Sequence, residues 1–472
     1  MTTRLNLGTR GLSEHAARGW ARTARGRTVT DLVRFVRHPS VSGDRPAARR
    51  CAAWLATHLH TLGLRSAEVV PTRGNPAVIA EWRGAPGRPT LLVYGHYDVQ
   101  PPDPIGRWTT PPYGGFVRDG AVVGRGACDD KGQLMAHVKA IEAWLEACGA
   151  LPCNVVCLFE GEEEIGSPQL PALLRAHRRR LRSDVAVVSD MTMRGPGRPA
   201  LTYSLRGVLS LEIEVRAAPH NLHCGIFGGT VPNAAQELCN LVASLADRSG
   251  RIAVPGFYDD VAPASDTERT FMAAQGPSAT ELSRAAGTAT NFGEPGFSPY
   301  ERATIRPSMA VNGIDGGYQG PGVAAVIPSR AGAKVTFRLV PDQDPGRVCR
   351  LVSEHLTGVA GRGVAVSVRP LARARPTAVP RRHPAMVAAA NAYACGFGRR
   401  PALIRSGGTV PVVDHIQRFL GTPVVMMGFA LPADRMHSPN ERFPISRYAQ
   451  SIDTSICFLA EVGRRVPARA NQ

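Results

Sequence analysis

Histidine and acidic side chains follow several apolar stretches of this 472-residue chain. His96 and Asp98 come directly after the apolar run at 90–94, and Asp190 follows another apolar run at 184–188. Imidazole and carboxylate groups are side chains that bind divalent metals and that transfer protons during hydrolysis. A single histidine at a strand end is more often a structural residue, so the indication comes from the number of such clusters.

Three further clusters have the same composition. GRGACDDKG places Asp129 and Asp130 before a predicted helix, EGEEEIGS places four glutamates within 160–164, and VVMMGFALPADRMHSPNE leads from an apolar run to His437. An acidic run alone is usually a solvated surface. Carboxylates that converge on one edge of a sheet repel one another, however, and cations resolve that repulsion. Histidines and carboxylates without paired cysteines predict a catalytic site for two metal ions, either zinc or manganese or cobalt.

Strands and helices alternate around these residues and must position them. Apolar runs at 90–94, 154–159 and 184–188 predict strands, and the periodicity over 131–148 predicts a helix. This alternation predicts an α/β catalytic domain with a mainly parallel sheet. Open sheets of this kind form their sites at the carboxyl ends of the strands.

A change of pattern near residue 206 predicts a second domain inserted into the first. Three segments with an apolar residue at every second position predict strands, and one with helical periodicity predicts a helix: 209–215, 335–339, 364–368 and 232–245. The stretch 250–307 is rich in Pro, Gly, Ser and Thr, and we expect a loop-heavy excursion there. We therefore expect a catalytic domain formed by 1–205 and 383–472, interrupted by a smaller α+β domain at 206–382.

The composition argues against several other classes of protein. With 43% hydrophobic and 20% charged residues the chain is globular, and no apolar run approaches the length of a membrane span. The net charge of +18 comes from scattered arginines without interleaved aromatic residues, so we expect no nucleic-acid partner. Ten cysteines without C-x-x-C spacing predict reduced thiols and a cytoplasmic protein. The Arg-rich start lacks a signal-peptide core, which leaves a mitochondrial transit peptide as the alternative.

The order of the motifs resembles metallopeptidase family twenty. The motifs are GHYDVQPP, GRGACDDKG, EGEEEIGS, SD, NLHCGIFGG, SGGTVPV and HSPNE, and they run from about residue 90 to 442 in the family's order and spacing. That family includes carnosine-type dipeptidases, glutamate carboxypeptidases, acetylornithine deacetylase and succinyl-diaminopimelate desuccinylase. VNGIDGGYQGPG and KVTFRLVP are most similar to the cytosolic dipeptidase branch.

The resemblance implies a role for each residue of the metal site. It implies that His96, Asp129 and Asp190 hold one ion. Asp129, Glu164 and His437 would hold the other, with Asp129 bridging the two. Two zinc ions are expected, with manganese or cobalt as alternatives. The resemblance also implies a cis peptide bond after Asp129 and a ferredoxin-like inserted domain that acts as a lid and forms a homodimer.

Further residues are implied to act on the substrate. Glu163 would be the general base and acid, and Asp98 would orient a metal-binding imidazole. His223 in NLHCG would stabilise the oxyanion in the site of the partner copy, and Arg338 and the turn at Gly408 and Thr409 would bind the substrate. Without the resemblance, His223 would be an ordinary loop histidine and Arg338 a strand-surface arginine.

Three positions depart from the dipeptidase pattern. Ala325 stands where Thr is common, Ser406 where Glu is common, and Cys224 where Ser is usual. The metal set is intact, so we expect metal-dependent hydrolysis of a peptide or amide bond in a small substrate such as a dipeptide. The alternatives are an N-acyl amino acid deacylase acting on a specialised metabolite and a non-catalytic binding homologue. The departures bear on how an unblocked dipeptide would be recognised.

Overall fold

The computed structural model of the protein describes residues 13–64 and 66–469. Among these residues, no helix combines the length and the apolar character needed to cross a membrane. The helices are α1 (Glu14–Thr23), α2 (Arg25–Val36), α3 (Arg45–Thr61), α4 (Lys131–Cys148), α5 (Leu170–Ala176), α6 (Cys224–Phe227), α7 (Ala234–Ser244), α8 (Asp266–Gln275), α9 (Ala279–Ala286), α10 (Pro299–Thr304), α11 (Pro345–Val359), α12 (Pro384–Phe397), α13 (Pro411–Leu420) and α14 (Ile445–Arg465).

The strands are β1 (Glu68–Val70), β2 (Ala77–Trp82), β3 (Thr90–His96), β4 (Phe116–Arg118), β5 (Ala121–Val123), β6 (Asn154–Glu160), β7 (Val185–Val188), β8 (Ala200–Leu205), β9 (Gly207–Arg216), β10 (Leu222–His223), β11 (Ser308–Gly316), β12 (Val326–Ile327), β13 (Arg330–Leu339), β14 (Ala365–Ala374), β15 (Thr377–Ala378), β16 (Ala402–Ser406), β17 (Val424–Met426) and β18 (Arg442–Pro444).

The chain forms two compact units. Unit 1 contains the residues up to Tyr203, Val379–Leu403 and the residues from Pro411 onward, and unit 2 contains Ser204–Ala378 and Ile404–Val410. The chain therefore leaves unit 1 and later returns to it. That 206–382 folds as a separate domain, inserted between 1–205 and 383–472, remains a prediction.

The largest sheet has nine strands, and its central strands belong to unit 1. Its order is β1-β2-β6-β3-β7-β17-β8-β15, and β16 also pairs with β8. The four strands β6, β3, β7 and β17 are parallel, and the strands that flank them pair antiparallel. The central strands are buried almost without interruption, as parallel strands with both faces covered are. The predicted α/β class with a mainly parallel centre is confirmed.

Helix α4 follows the loop that carries two of the acidic residues. It spans Lys131–Cys148, as the periodicity predicts, and all its residues up to Trp144 are buried. It ends at Gly149, whose φ of 71° lies in the left-handed region that favours glycine. Because α4 packs on β3 and α14, its amino terminus holds the preceding loop in a fixed position.

Unit 2 contains a four-stranded antiparallel sheet with helices against one face. The strand order is β11-β13-β9-β14, and a separate two-stranded sheet pairs β10 with β12. Alternate residues of β9 and β13 are buried in a core that they share with α7 and α11. This is the α+β arrangement that the period-two segments predict.

The excursion at 250–307 contains more regular structure than expected. Three helices lie within it, α8, α9 and α10. Each begins after a serine whose hydroxyl accepts a backbone N–H of the first turn: Ser265, Ser278 and Ser298. These helices are short and are defined by their caps, so apolar periodicity gives little sign of them.

The prediction that every cysteine is reduced is wrong for one pair. Cys395 in α12 and Cys457 in α14 form a disulfide, with their Cα atoms 6.5 Å apart. The two residues are 62 positions apart in sequence and meet because α12 packs on α14. Cysteine spacing therefore carries no signal of this bond. The other eight cysteines are free.

Candidate metal centre

Three neighbouring parallel strands bring histidine and acidic residues to one edge of the unit 1 sheet. β3 ends at His96, and β6 ends at Glu160, the register partner of His96. Asp190 follows the end of β7 by two residues. Two loops add Asp129, ahead of α4, and His437. The carboxyl edge of the parallel strands therefore carries the candidate site, as the strand pattern predicts.

Two histidine rings contact opposite oxygens of one carboxylate. His96 Nε2 lies 3.3 Å from Asp129 Oδ1, and His437 Nε2 lies 2.8 Å from Asp129 Oδ2. His437 Nε2 also lies 3.2 Å from Glu164 Oε2. Because each oxygen of the Asp129 carboxylate faces a different histidine, the carboxylate has the arrangement of a ligand that bridges two metal ions.

All five residues predicted to bind metal lie close together. Ligand atoms of His96, Asp129 and Asp190 lie within 4.8 Å of one another, and so do those of Asp129, Glu164 and His437. Asp129 belongs to both groups. The structure thus brings the predicted residues into two adjoining sets, and their action as ligands remains a prediction.

Unpaired buried atoms test whether cations fit these sets. His96 Nε2 and Glu164 Oε1 are buried and have no hydrogen-bond partner among the residues that the structure describes. Such atoms destabilise a fold unless something satisfies them. Burial and then the charge of Asp129 raise the pKa of Asp190 well above its ordinary value. A divalent cation satisfies the unpaired atoms and offsets the repulsion, and the imidazole and carboxylate donors suit zinc, manganese or cobalt.

Asp98 links the histidine of one set to the glutamates of the other. Its Oδ1 lies 3.3 Å from His96 Nδ1 and accepts the backbone N–H of Glu163 at 3.2 Å. Its Oδ2 accepts the backbone N–H of Glu164 at 3.1 Å and the hydroxyl of Ser42 at 2.7 Å. The backbone carbonyl of Asp98 also lies 3.1 Å from His96 Nδ1. Asp98 therefore contacts the imidazole and fixes the turn that carries both glutamates, and its role in orienting the imidazole for metal binding remains a prediction.

The pKa of the Glu163 carboxyl lies above the ordinary value of a glutamate. Burial is the largest influence and raises its pKa to about 7, with the charges of Glu164 and Asp98 acting in the same direction and His96 opposing them. A carboxylate of this kind both accepts a proton and returns it.

The other glutamates of the acidic run have structural partners. Glu160 accepts hydrogen bonds from the hydroxyls of Tyr94 at 2.6 Å and Ser167 at 2.8 Å, and burial raises its pKa to about 8. Glu162 accepts the backbone N–H of Asn75 at 3.0 Å. Both are buried, so this run is not a solvated surface.

The loop before α4 is tied to the end of β3. The predicted cis peptide bond between Asp129 and Asp130 is present. Asp130 Oδ2 accepts the backbone N–H of His96 at 3.3 Å. The sequence identified Asp130 as part of an acidic pair but not this contact.

Glu441 is the most important residue of the site that sequence reasoning missed. Its Oε1 accepts the backbone N–H groups of Cys128 and Asp129 at 3.0 and 3.1 Å. Its Oε2 accepts the backbone N–H of Gly126 at 3.1 Å and Nη1 of Arg125 at 2.8 Å. The pairing of β18 with β5 brings the two loops together. In the sequence, Glu441 was indicated only by its position as the last residue of the HSPNE motif.

The predicted substrate-binding residues lie together within unit 2. Arg338 Nη1 donates to the hydroxyl of Thr409 at 2.9 Å, and that hydroxyl donates to the carbonyl of Arg206 at 2.7 Å. The backbone N–H of Gly408 donates to the hydroxyl of Ser406 at 3.2 Å. Ser406, one of the three departures, therefore stabilises the turn itself.

His223 lies at the end of β10, in unit 2, and its side chain is exposed. Its Nδ1 accepts the backbone N–H of Gly225 at 3.1 Å. The neutral ring therefore carries its proton on Nε2, where it serves as a hydrogen-bond donor. The backbone N–H of Cys224 donates to the carbonyl of Ala325 at 3.0 Å, so the two other departures adjoin this histidine.

Proteins of known activity resemble this chain along most of its length. The Beta-Ala-His dipeptidase of Homo sapiens is 32% identical over 399 residues, which cover 82% of this chain and 78% of the human protein. The Cys-Gly metallodipeptidase dug1 of Schizosaccharomyces pombe is 29% identical over 467 residues, which cover 93% of this chain and 96% of the yeast protein.

Solved structures give the same picture. The crystal structure of human carnosine dipeptidase 1 matches with a TM-score of 0.80 and 28% identity, over 97% of this chain and 100% of that chain. The M20 family metallo-carboxypeptidase Sso-CP2 from Sulfolobus solfataricus matches with a TM-score of 0.82 and 30% identity, over 93% and 99%. The family model described as Peptidase family M20/M25/M40 matches residues 92–461. Since that match covers most of the chain and includes every residue of the two candidate metal sets, the chain belongs to Peptidase family M20/M25/M40.

Proposed function

We propose that this protein is a metal-dependent dipeptidase. The observation that carries the proposal is the placement of Asp129 between His96 and His437, with the carboxylate sets on either side. Members of its family that align along most of the chain include a Cys-Gly metallodipeptidase and a Beta-Ala-His dipeptidase. The two sets of candidate metal ligands and the related proteins support the same reaction, which is cleavage of an amide bond between two amino acids.

Two zinc ions fit the two sets of side chains. His96 and Asp190 would hold one ion, Glu164 and His437 the other, and Asp129 would bridge them. Two such ions supply Lewis acidity and lower the pKa of water to about 7. Manganese or cobalt would fit the same donors.

Glu163 supplies the proton transfers of the reaction. Its carboxylate takes a proton from the attacking water while the water oxygen forms a bond to the carbonyl carbon. It then gives that proton to the amide nitrogen as the carbon–nitrogen bond breaks. The contact with Asp98 holds the backbone of Glu163 in place through these steps. A pKa of about 7 suits a group with both roles.

Arg338, Gly408 and Thr409 would bind the substrate away from the reacting bond. The Arg338 guanidinium is suited to the free carboxylate of a dipeptide, because it offers parallel N–H donors and a fixed charge. Its hydrogen bond to Thr409 fixes one of its nitrogen atoms and leaves the other donors for a ligand.

His223 would act across a two-fold interface in a homodimer. Its Nε2–H group is free to donate to the developing oxyanion. Large apolar side chains are exposed close by in sequence, with Ile226 at 69% and Phe227 at 40% of their surface. Val323, two residues before the Ala325 that bonds to Cys224, is 99% exposed. Exposed apolar groups clustered in this way favour an interface with another molecule.

A second candidate function is the hydrolysis of N-acyl amino acids. The hydroxyl of Ser406 accepts from Gly408 and carries no charge, where the dipeptidase branch commonly has glutamate. A neutral group at this turn binds a free α-amino group less well than a carboxylate would, which favours a substrate whose amine is acylated.

The test is hydrolysis by purified protein, stripped of metal and then reloaded with zinc or with manganese. A panel of free dipeptides and N-acyl amino acids is supplied, and mass spectrometry identifies the released amino acids and acyl acids. We expect hydrolysis only after reloading, with amino acids released from dipeptides. Release of acyl acids alone would establish the second candidate. Failure of the reloaded protein to cleave any member of the panel would refute both.

A further inference from the structure

A cavity in unit 1 lies at the amino-terminal edge of the central strands. Its volume is about 590 Å³, and its lining includes Thr90, which begins β3, Asn154, which begins β6, and Asp184, directly before β7. The candidate metal ligands lie at the opposite ends of these strands. β3 has seven residues, so about 20 Å of strand separates the two edges. The cavity is therefore distinct from the candidate metal centre.

Arginine dominates the charge of this cavity. Six arginines line it: Arg83, Arg88, Arg179, Arg180, Arg182 and Arg469. The carboxylates in the described lining are Glu81 and Asp184, which leaves an excess of four positive charges. Like charges gathered in one place repel one another, and a bound anion relieves that repulsion. The volume lies in the range of small-molecule sites.

Both carboxylates of the lining are engaged by the protein itself. Glu81 accepts hydrogen bonds from Nε of Arg83 at 2.7 Å and from Nε of Arg180 at 2.5 Å. Asp184 accepts the backbone N–H groups of Thr90 at 2.6 Å and of Arg469 at 2.7 Å. These contacts fix the walls of the cavity, and they leave the guanidinium groups of the other arginines without a counterion.

Three arginines of the lining have no carboxylate partner in the described part of the chain. Nη1 of Arg88 donates to the carbonyl of Gly463 at 3.3 Å, and Nη2 of Arg469 donates to the carbonyl of Gly421 at 2.6 Å. The guanidinium of Arg179 makes no hydrogen bond or ion pair with any described residue, and its side chain is exposed. Free guanidinium N–H donors in a planar fork match the oxygens of phosphate groups.

The wall that carries Arg88 is held in place before any ligand binds. Nδ2 of Asn154 donates to the carbonyls of Ala85 at 2.8 Å and Arg88 at 3.0 Å, and its Oδ1 accepts the backbone N–H of Ala85 at 3.1 Å. Nη2 of Arg83 donates to the carbonyl of Arg180 at 2.8 Å, which joins the loop after β2 to the segment before β7. A cavity fixed in this way loses less conformational entropy when it binds a ligand.

We propose that this cavity binds an oligophosphate, a compact anion with two or three linked phosphate groups. The uncompensated guanidinium groups of Arg88, Arg179 and Arg469 match the several charges of such a chain. The described lining contains no aromatic side chain, so the recognised part of the ligand is the phosphate chain itself. The site is separate from the proposed reaction, and the inference does not depend on the proposed function.

Calorimetric titration of the zinc-loaded protein at low ionic strength tests the proposal, with inorganic triphosphate as the probe. We expect one triphosphate to bind per chain, at least about ten-fold more tightly than orthophosphate, because several guanidinium groups share one ligand. Arg179→Gln should weaken the binding of triphosphate by about ten-fold, since a charge-assisted hydrogen bond is lost. The Arg179 side chain makes no contact in the fold, so urea unfolding of this variant should match that of the natural protein.

Arg49→Gln is the matched control, because it removes the same charge from an exposed position of α3 outside the lining. Its affinity for triphosphate should stay within about two-fold of the natural value. Triphosphate also binds zinc, but Arg179→Gln leaves the candidate metal ligands unchanged, so binding at the metal centre would persist in it at full strength. Equal affinities of the two variants, or binding no tighter than that of orthophosphate, would overturn the inference.

Adenosine triphosphate is the second probe and distinguishes a free phosphate chain from an esterified one. If its affinity equals that of inorganic triphosphate and falls by the same factor in Arg179→Gln, the site accepts nucleotides. If it binds at least about ten-fold more weakly, the site is restricted to free oligophosphates. Failure of both probes to bind would refute the cavity as a phosphate site.

Discussion

The backbone N–H group of Asp129 donates a 3.1 Å hydrogen bond to Oε1 of Glu441, a residue 312 positions further along the chain. The same carboxylate pairs with Arg125 at 2.8 Å, and both of these side chains are almost completely buried. Glu441 therefore positions the predicted bridging carboxylate from the segment that also supplies His437. The hydrogen bonds described above for Glu441 all go to residues 125–129, so its contribution is to the geometry of that loop.

Glu441→Gln should destabilise unit 1 and weaken metal binding. The substitution leaves the buried charge of Arg125 without its partner, and such a loss costs about 3 kcal/mol. All five tryptophans lie before residue 150, in unit 1, so tryptophan fluorescence during urea unfolding reports on this unit. Glu68→Gln is the control, because Glu68 pairs with Arg180 at the surface of unit 1 and should contribute less than about 1 kcal/mol. Equal stability of the two variants would contradict the role assigned to Glu441.

Glu163→Gln and Glu164→Gln should separate proton transfer from metal binding. Loss of Glu163 removes the base, so turnover should fall by at least about 100-fold while the protein keeps both ions. Loss of Glu164 removes a ligand, so the protein should retain about one ion per chain. Metal content is measured by mass spectrometry after dialysis, with turnover measured on the same samples. If both variants keep two ions, or if Glu163→Gln loses one, the assignment of the two glutamates is wrong.

Burial of His137 should make the protein less stable in acid. Its Nε2 lies 2.6 Å from the Ser189 hydroxyl, and burial lowers its pKa to about 4 from an ordinary value of 6.5. The unfolded chain therefore takes up a proton first, and the stability present above pH 6.5 is lost as the pH falls toward 4. Between pH 7 and 5 this histidine should account for about 2 kcal/mol of lost unfolding free energy.

The measurement compares urea unfolding at pH 7 and pH 5 for the natural protein and His137→Gln. The difference between the two pH values should be smaller in the variant by roughly the amount given above. His60→Gln, at an exposed position of unit 1, serves as the control and should leave the difference as it is in the natural protein. An unchanged pH dependence in His137→Gln would show that this histidine is not the source.

Mixing two inactive variants should test whether His223 acts in the partner's site. His223→Ala and Glu163→Gln are each expected to be nearly inactive. Random exchange of subunits makes half of the dimers mixed, and each mixed dimer has one intact site, so about a quarter of the natural activity should return. Exchange is monitored separately by native mass spectrometry. Verified exchange without recovered activity would place His223 in its own chain's site or outside the reaction.

The strands at the centre of the site were predictable because they are buried on both faces. The apolar runs at 90–94, 154–159 and 184–188 correspond to β3, β6 and β7, with ends that differ by two residues or fewer. Continuous apolar runs of this length reflect burial regardless of what surrounds them. Histidine and acidic residues directly after them could therefore be placed on one edge of a sheet.

Other parts of the site depend on contacts that local sequence does not record. Asp129 and His437 lie in loops without periodicity. Their residue types made them candidate ligands, but only the motif resemblance assigned each of them a role. Glu441 acts on backbone groups hundreds of residues away, and Gly407 contacts α10 from a separate segment of the chain. Such contacts arise from the packing of whole elements, so neither residue type nor spacing reveals them. The disulfide between Cys395 and Cys457 was missed for the same reason.

Because unit 2 interrupts unit 1 in the sequence, most of unit 2 is synthesised before the last part of unit 1. Unit 2 has its own apolar core, so it can begin to fold while the ribosome is still adding residues. Asp129, in contrast, must wait for Glu441, 312 residues later, which at ordinary rates of synthesis takes on the order of 15–60 s. For nearly all of that interval the growing chain lacks His437 as well as the carboxylate that positions Asp129. The residues of the candidate metal centre are thus completed late in translation, after most of unit 2 has been synthesised.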